Sequence, residues 1–272
     1  MAPRSDAPEP AAWGTALTSV EPNRILIRGY AIDELMGRVT FGDALYLLLT
    51  GELPSPSIAR LVDAILVGFV DHGVTPPSTL AARQTAGTGA GLANAVAAGL
   101  LGFGPPARGQ VALCRQLLED GLDLAGSSML VHAAAVDLVE QLVQRDRIPP
   151  PGFGHRDHTV DPRVTRLLQI AHELEVDHLY TQFIRSMDMA LARHPALGGD
   201  TLPINIDGAI AAVCGDLGLD AAVAEGLALI ARVPGLIAHA LEEKARHPRL
   251  RSIDPAAHRY DGPSERRLRE RR

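Results

Sequence analysis

The sequence predicts an almost wholly α-helical fold, and three observations carry that expectation. Apolar residues recur at three- and four-residue spacing along nearly the whole chain. No stretch alternates apolar and polar residues with any strength over the length of a strand. Aromatic residues make up only 4% of a chain that is 46% hydrophobic. Leu, Ala, Val and Ile must therefore fill the core, which favours packed helices over a sandwich rich in Tyr, Trp and Phe. At 272 residues the chain can bury a substantial core, as one large domain or as a large one with a smaller insert.

Each element follows in order. Residues 1–12 are rich in Pro, Ala and charge, and read as a flexible arm. Residues 24–30 read as a short extended piece that stops at Gly29. Leu35, Met36, Phe41, Leu45, Leu48 and Leu49 mark helical spacing, which Gly51 closes and Pro54 prevents from continuing. Ser57 is the candidate cap of a helix with Ile58, Leu61, Val62, Ile65, Leu66, Phe69 and Val70 on its apolar face. The Ala, Gly and Thr of residues 78–101 let helices approach closely and suggest a central segment. Further helices are expected over 111–124, 129–144, 164–176, 179–192, 210–217 and 221–243. Gly and Pro mark loops at 71–77, 102–109, 148–162 and 198–207, each carrying polar residues.

Charge and cysteine content narrow the function classes. A net charge of −6 argues against nucleic acid or an anionic membrane as the main partner. The basic run from Arg266 to Arg272 reads as a solvated end. Cys114 and Cys214 lie in apolar surroundings without a CxxC partner, so buried free thiols are expected and no metal site is. Gly, Pro or charge interrupts every apolar run before membrane-spanning length, and the first residues lack the apolar core of a signal peptide. A cytoplasmic protein is the expectation.

Taken singly, the polar candidates have two readings. His72 follows a helix end, where it either bonds the last carbonyls or serves a site. His155 and Arg156 stand in a turn that is either solvated or functional. Asp207 is either a helix N-cap or a catalytic acid. Arg232 lies among Ile230, Ala231, Val233 and Leu236, where a cation needs an anion. Together, two histidines, an aspartate and two arginines at the edges of Gly-rich breaks form an acid–base set with a cradle for carboxylates.

These residues fall into strings that resemble a known family. Arg28-Gly29-Tyr30-Ala31-Ile32-Asp33-Glu34-Leu35, Phe41, and residues 47–54 (LLLTGELP) resemble the opening of bacterial citrate synthases. Asp71-His72-Gly73 with residues 78–83 (STLAAR) is similar to their next segment. Gly152-Phe153-Gly154-His155-Arg156 with Asp161-Pro162-Arg163 matches GFGHR…DPR. Asn205-Ile206-Asp207 and residues 231–239 (ARVPGLIAH) complete five motifs in family order.

The resemblance implies a large helical domain, residues 13–118 and 218–272, with a smaller helical domain, 119–217, inserted in it. It implies a homodimer with the active site in a cleft between domains. It places His72 and His155 on the hydroxy or keto acid, Asp207 at the acetyl carbon, and Arg163 and Arg232 on carboxylates. Coenzyme A, carried as an acyl thioester, would meet the loop containing Pro151, Gly152, Phe153, Gly154 and Arg156. The family's second-subunit arginine before a proline is absent, since Asp254 precedes Pro255, and Arg251 is its substitute.

One departure sets the direction. Family synthases carry an enol-stabilising histidine where this chain has Ala107, in Gly104-Pro105-Pro106-Ala107-Arg108-Gly109. Removing a group that stabilises developing charge costs roughly two to three powers of ten in rate. Citryl-CoA lyase, the lyase module of ATP-citrate lyase, also lacks that histidine and is most similar in pattern. The resemblance thus implies cleavage of citryl-CoA to acetyl-CoA and oxaloacetate. Synthase-type condensation of an acyl-CoA with a 2-oxo acid, and a non-catalytic paralogue binding acyl-CoA or a tricarboxylate, are the alternatives.

Overall fold

A computed structural model describes residues 14–103, 110–126, 130–198, 202–247 and 254–267. Eleven α-helices run through the described residues, after a small antiparallel sheet near the start. The sheet's strands are β1 (Thr18–Glu21), β2 (Arg24–Ile27) and β3 (Tyr30–Ala31), in that order. The expected extended piece is therefore the middle of a meander. Arg28 and Gly29 both take positive φ between the paired Ile27 and Tyr30, the geometry of a tight primed hairpin turn. The Arg28 guanidinium also donates to the Leu48 carbonyl at 2.9 Å.

The helices are α1 (Ile32–Leu35), α2 (Phe41–Thr50), α3 (Pro56–Gly68), α4 (Pro77–Gly87), α5 (Leu92–Leu101) and α6 (Gln110–Ala125). They continue with α7 (Val131–Gln144), α8 (Pro162–Glu173), α9 (Leu179–Arg193), α10 (Ile206–Asp216) and α11 (Ala221–Arg246). Thr40 and Asp43 form a reciprocal capping box at α2, and Gly51 closes it in the left-handed conformation at φ 96°. Ser55, rather than Ser57, caps α3, because Pro56 fits the first helical position, where no amide is needed. Asp161 followed by Pro162 opens α8 in the same way.

Helix α11 holds 26 residues and carries Pro234 in its interior. By length and composition it is apolar enough to cross a membrane, although the sequence reading had every such run interrupted. Its Arg232 and Glu243 are buried, and Glu243 receives the Arg83 guanidinium at 2.7 Å. Those contacts are of a helix packed against protein.

The chain divides into two compact units, Met1–Val70 with Gly104–Arg232, and Asp71–Phe103 with Val233–Arg272. In the first, α6, α7, α9 and α10 pack on one another, and α8 packs on α3 and α10. Leu118, Phe183, Ile184, Met187 and Ile210 fill its core. A methyl group at Gly121 would lie 2.3 Å from Phe183 Cζ, so glycine there lets the Phe183 ring seat against α6. In the second unit α4 packs along α5. A methyl at Gly99 would stand 2.9 Å from Leu236 and 3.1 Å from Ala82. The small residues of 78–101 thus permit the close helix approach expected of them. The inserted domain implied by the resemblance, residues 119–217, lies wholly within the first unit.

Candidate active site

The site grows from the start of α10. Asn205 is its N-cap, accepting from the Gly208 amide at 3.1 Å, and Asp207 stands in the first turn. The capping role read as one option for Asp207 thus belongs to Asn205, two residues before it. Beside it runs the loop of residues 148–161. Phe153 pairs with Ile204 in an isolated antiparallel bridge, through Gly154 N to Pro203 O at 2.8 Å and Asn205 N to Gly152 O at 3.0 Å. The approach is so close that a methyl at Gly208 would lie 2.4 Å from the Gly152 carbonyl oxygen. A methyl at Gly152, whose φ is +84°, would lie 2.4 Å from Cys114 Sγ. Glycine is required at both positions.

Asp207 keeps a partial window to solvent, yet protein crowds its carboxyl on the other sides. Burial pushes its pKa up to about 6, against the pull of Arg232 and Arg163, and Glu225 adds a smaller upward push. A carboxyl tuned to that range exchanges a proton in either direction near neutral pH.

His155 follows the bridge. Its Nδ1 accepts from the amides of Asp157 at 3.0 Å and His158 at 3.1 Å. A nitrogen that accepts carries no proton, so the neutral ring is protonated on Nε2. The His158 ring stacks on it, with centroids 4.3 Å apart. Burial and then the His158 charge hold the His155 pKa below the ordinary value, and nearby Asp161 opposes them. As held, the ring is a hydrogen-bond donor at Nε2.

Two arginines complete the charge pattern. Arg163 grips Asp161 through Nε at 2.9 Å and Nη2 at 2.6 Å. Burial would raise the Asp161 carboxyl, but this fork and the Arg163 amide hold it below the usual range. Part of the Arg163 fork is therefore committed to protein while its charge still reaches Asp207. Arg232 is buried, its guanidinium carbon 4.3 Å from the centre of the Phe69 ring.

A profile of the family described as "Citrate synthase, C-terminal domain" matches residues 54–253, most of the chain. This chain belongs to the citrate synthase family. The citrate/2-methylcitrate synthase of Bacillus subtilis is 28% identical over 222 residues, which are 76% of this chain and 55% of that protein. The chain spans about half the length of the curated relatives it matches. The structure of citryl-CoA lyase from Hydrogenobacter thermophilus matches with a TM-score of 0.83 and 34% identity, over 95% of this chain and 98% of that one. ATP citrate lyase from Methanothrix soehngenii, solved in complex with citrate and coenzyme A, shares the fold at TM-score 0.77 and 22% identity, over 96% of this chain and 43% of that one.

In this citrate synthase family member, His155, Arg163, Asp207 and Arg232 all belong to the first unit. His72 belongs to the second. There Asp71 accepts from the amides of His72 and Gly73, and its carboxylate meets His239 Nε2 at 3.1 Å. In the loop expected to meet coenzyme A, Gly152 and Phe153 are buried, which leaves Pro151, Gly154 and Arg156 accessible. A groove of about 450 Å3 opens beside the loop, lined by Leu113, Gln116, Leu117, Ile148 and Pro149. Ala107, Arg108 and Arg251 lie outside the described residues.

Sequence reasoning missed several participants. Asp161 was legible as the Asp before Pro that opens a helix, but its pairing with Arg163 was not. Glu225 gave no signal, because its charge acts on Asp207 across a separation in sequence that only the folded chain closes. Asn205 stood in a quoted motif without a role. Among the described residues, no three His, Cys, Asp or Glu side chains group as metal ligands.

Proposed function

We propose that this chain cleaves citryl-CoA to acetyl-CoA and oxaloacetate, as a citryl-CoA lyase does. The observation that carries the reading is its 34% identity to the Hydrogenobacter thermophilus lyase along 98% of that chain, against 55% coverage of the Bacillus subtilis synthase. In cleavage the C3 hydroxyl loses its proton, and the bond to the acetyl carbon breaks. The released electron pair forms the thioester enolate, whose carbon then takes a proton. Asp207, pushed up to about 6, supplies that proton. Arg232 and Arg163 hold carboxylates, and Pro151, Gly154 and Arg156 meet coenzyme A. His155 receives the C3 hydroxyl proton at Nε2 once its own ring proton has moved to Nδ1, where it displaces the two amide contacts. Residues 119–217 move as the smaller domain, closing on ligand.

Condensation of an acyl-CoA with a 2-oxo acid is the second reading. One observation favours it: a donor at His155 Nε2 suits polarisation of a ketone carbonyl.

The test is incubation with citryl-CoA and, separately, with acetyl-CoA plus oxaloacetate, followed by mass spectrometry of the thioesters. Citryl-CoA is expected to be consumed, while the second mixture gives little citrate. Rapid citrate release from acetyl-CoA and oxaloacetate assigns condensation instead, and acyl-CoA binding without turnover of either mixture leaves another 3-hydroxy-acyl-CoA substrate or a non-catalytic paralogue, which a panel of such thioesters separates. Ala107→His is expected to add condensing activity to the lyase.

A further inference from the structure

We propose that Asn205 is a positioning residue for this reaction, its single amide fixing the His155 loop against the Asp207 helix. The inference rests on the reading that His155 and Asp207 act on one substrate. Asn205 Oδ1 accepts from the Gly208 amide at 3.1 Å, which caps α10 one residue beyond Asp207. Its Nδ2 donates to the Gly154 carbonyl at 3.1 Å, one residue before His155. Both oriented bonds require the amide to sit this way round, so the flip of the group is fixed by its partners. The backbone repeats the tie, with Asn205 N on Gly152 O and Gly154 N on Pro203 O.

The chemistry of the clamp selects asparagine. Ionised aspartate caps a helix well but has no proton to donate, and its second oxygen would face the Gly154 carbonyl. Serine caps a helix but is too short to span both partners. Only a short side chain with one donor and one acceptor holds both elements. Protonated aspartic acid has that pattern, since its hydroxyl donates while its carbonyl oxygen accepts.

The experiment compares wild type, Asn205→Asp and Asn205→Ser. Both variants retain a capping side chain, so their melting temperatures stay within about 5 °C of wild type. At about pH 8, kcat for citryl-CoA cleavage falls about 100-fold in both, because a small misplacement of catalytic groups has that effect. KM changes less than kcat does, since the proposed carboxylate anchors Arg163 and Arg232 are untouched. On acidification toward about pH 4, where an ordinary aspartate protonates, the Asn205→Asp to wild-type ratio rises, while the Asn205→Ser ratio does not. A general structural defect would move neither ratio. Hydrogen exchange gives an arm independent of turnover: the Gly154 amide is deprotected about tenfold in Asn205→Ser while the interior amides of α10 keep their protection. Wild-type kcat in Asn205→Ser, the same pH profile in both variants, or unchanged protection at Gly154 would each overturn the proposal. If wild type turns over neither substrate mixture, the lyase reading fails, and the exchange arm alone decides whether Asn205 ties the loop.

Discussion

At Asp207, burial favours the neutral acid, whereas Arg232 and Arg163 favour the anion. Burial prevails, and this has a thermodynamic sign. Folding raises the carboxyl from its ordinary 3.8 to about 6. The stability that protonation provides is complete below about pH 4 and is lost as pH rises through about 6. Above that range the ionised group costs on the order of 2–3 kcal/mol. Asp207→Asn is therefore expected to be more stable than wild type at about pH 8 by denaturant titration, with the difference vanishing near pH 4, while cleavage is lost. An asparagine variant weaker than wild type at the higher pH would contradict the assignment. Glu225 adds to the same shift as a like charge. In Glu225→Gln, the fall in cleavage on the alkaline side of the profile should begin at lower pH, because Asp207 then loses its proton more easily. A profile unmoved in that direction would show that Glu225 does not act on Asp207.

Helices were the most legible elements, since periodicity reports which face is buried. Their ends were less so. Ser55 and Asn205 cap where Ser57 and Asp207 were candidates, because the cap is set by where the backbone turns and not by residue type alone. Strand β1 went unread because its four residues are mostly exposed and leave no alternating pattern. The candidate site divides similarly. Motif order pointed to His155, Asp207 and Arg232. The Asp161–Arg163 pairing and the Nδ1 contacts of His155 depend on side-chain directions inside a loop, which spacing does not encode. Two changes test the elements. Gly152→Ala forces a side chain into positive φ and against Cys114 Sγ, and should lower stability by about 1–3 kcal/mol. Cys114→Ala in the same chain relieves the collision and recovers only part. Glu243→Ala removes the buried partner of Arg83 within α11. It should cost about 3 kcal/mol, more than an exposed pair such as Arg60 with Glu173. Equal losses at the two pairs would refute the distinction.

For the whole molecule, a two-fold dimer is the expected assembly. Met36, Phe41, Val67 and Leu101 are largely exposed in the single chain, a load of apolar surface that association would cover. Light scattering at micromolar concentration should return twice the chain mass, and a monomeric mass would refute the expectation.

Cys114 brings sulfur into contact with the loop proposed to meet coenzyme A and into the field of Asp207. A thiolate there would be a rival nucleophile, able to take an acyl group from the thioester by exchange and stall the enzyme as a covalent adduct. Burial, and then the Asp207 charge, push this thiol far above its ordinary range, and the Gly152 backbone stands over Sγ. The sulfur is held chemically mute, a polarizable wedge that shapes the loop without being able to capture the cargo passing beside it.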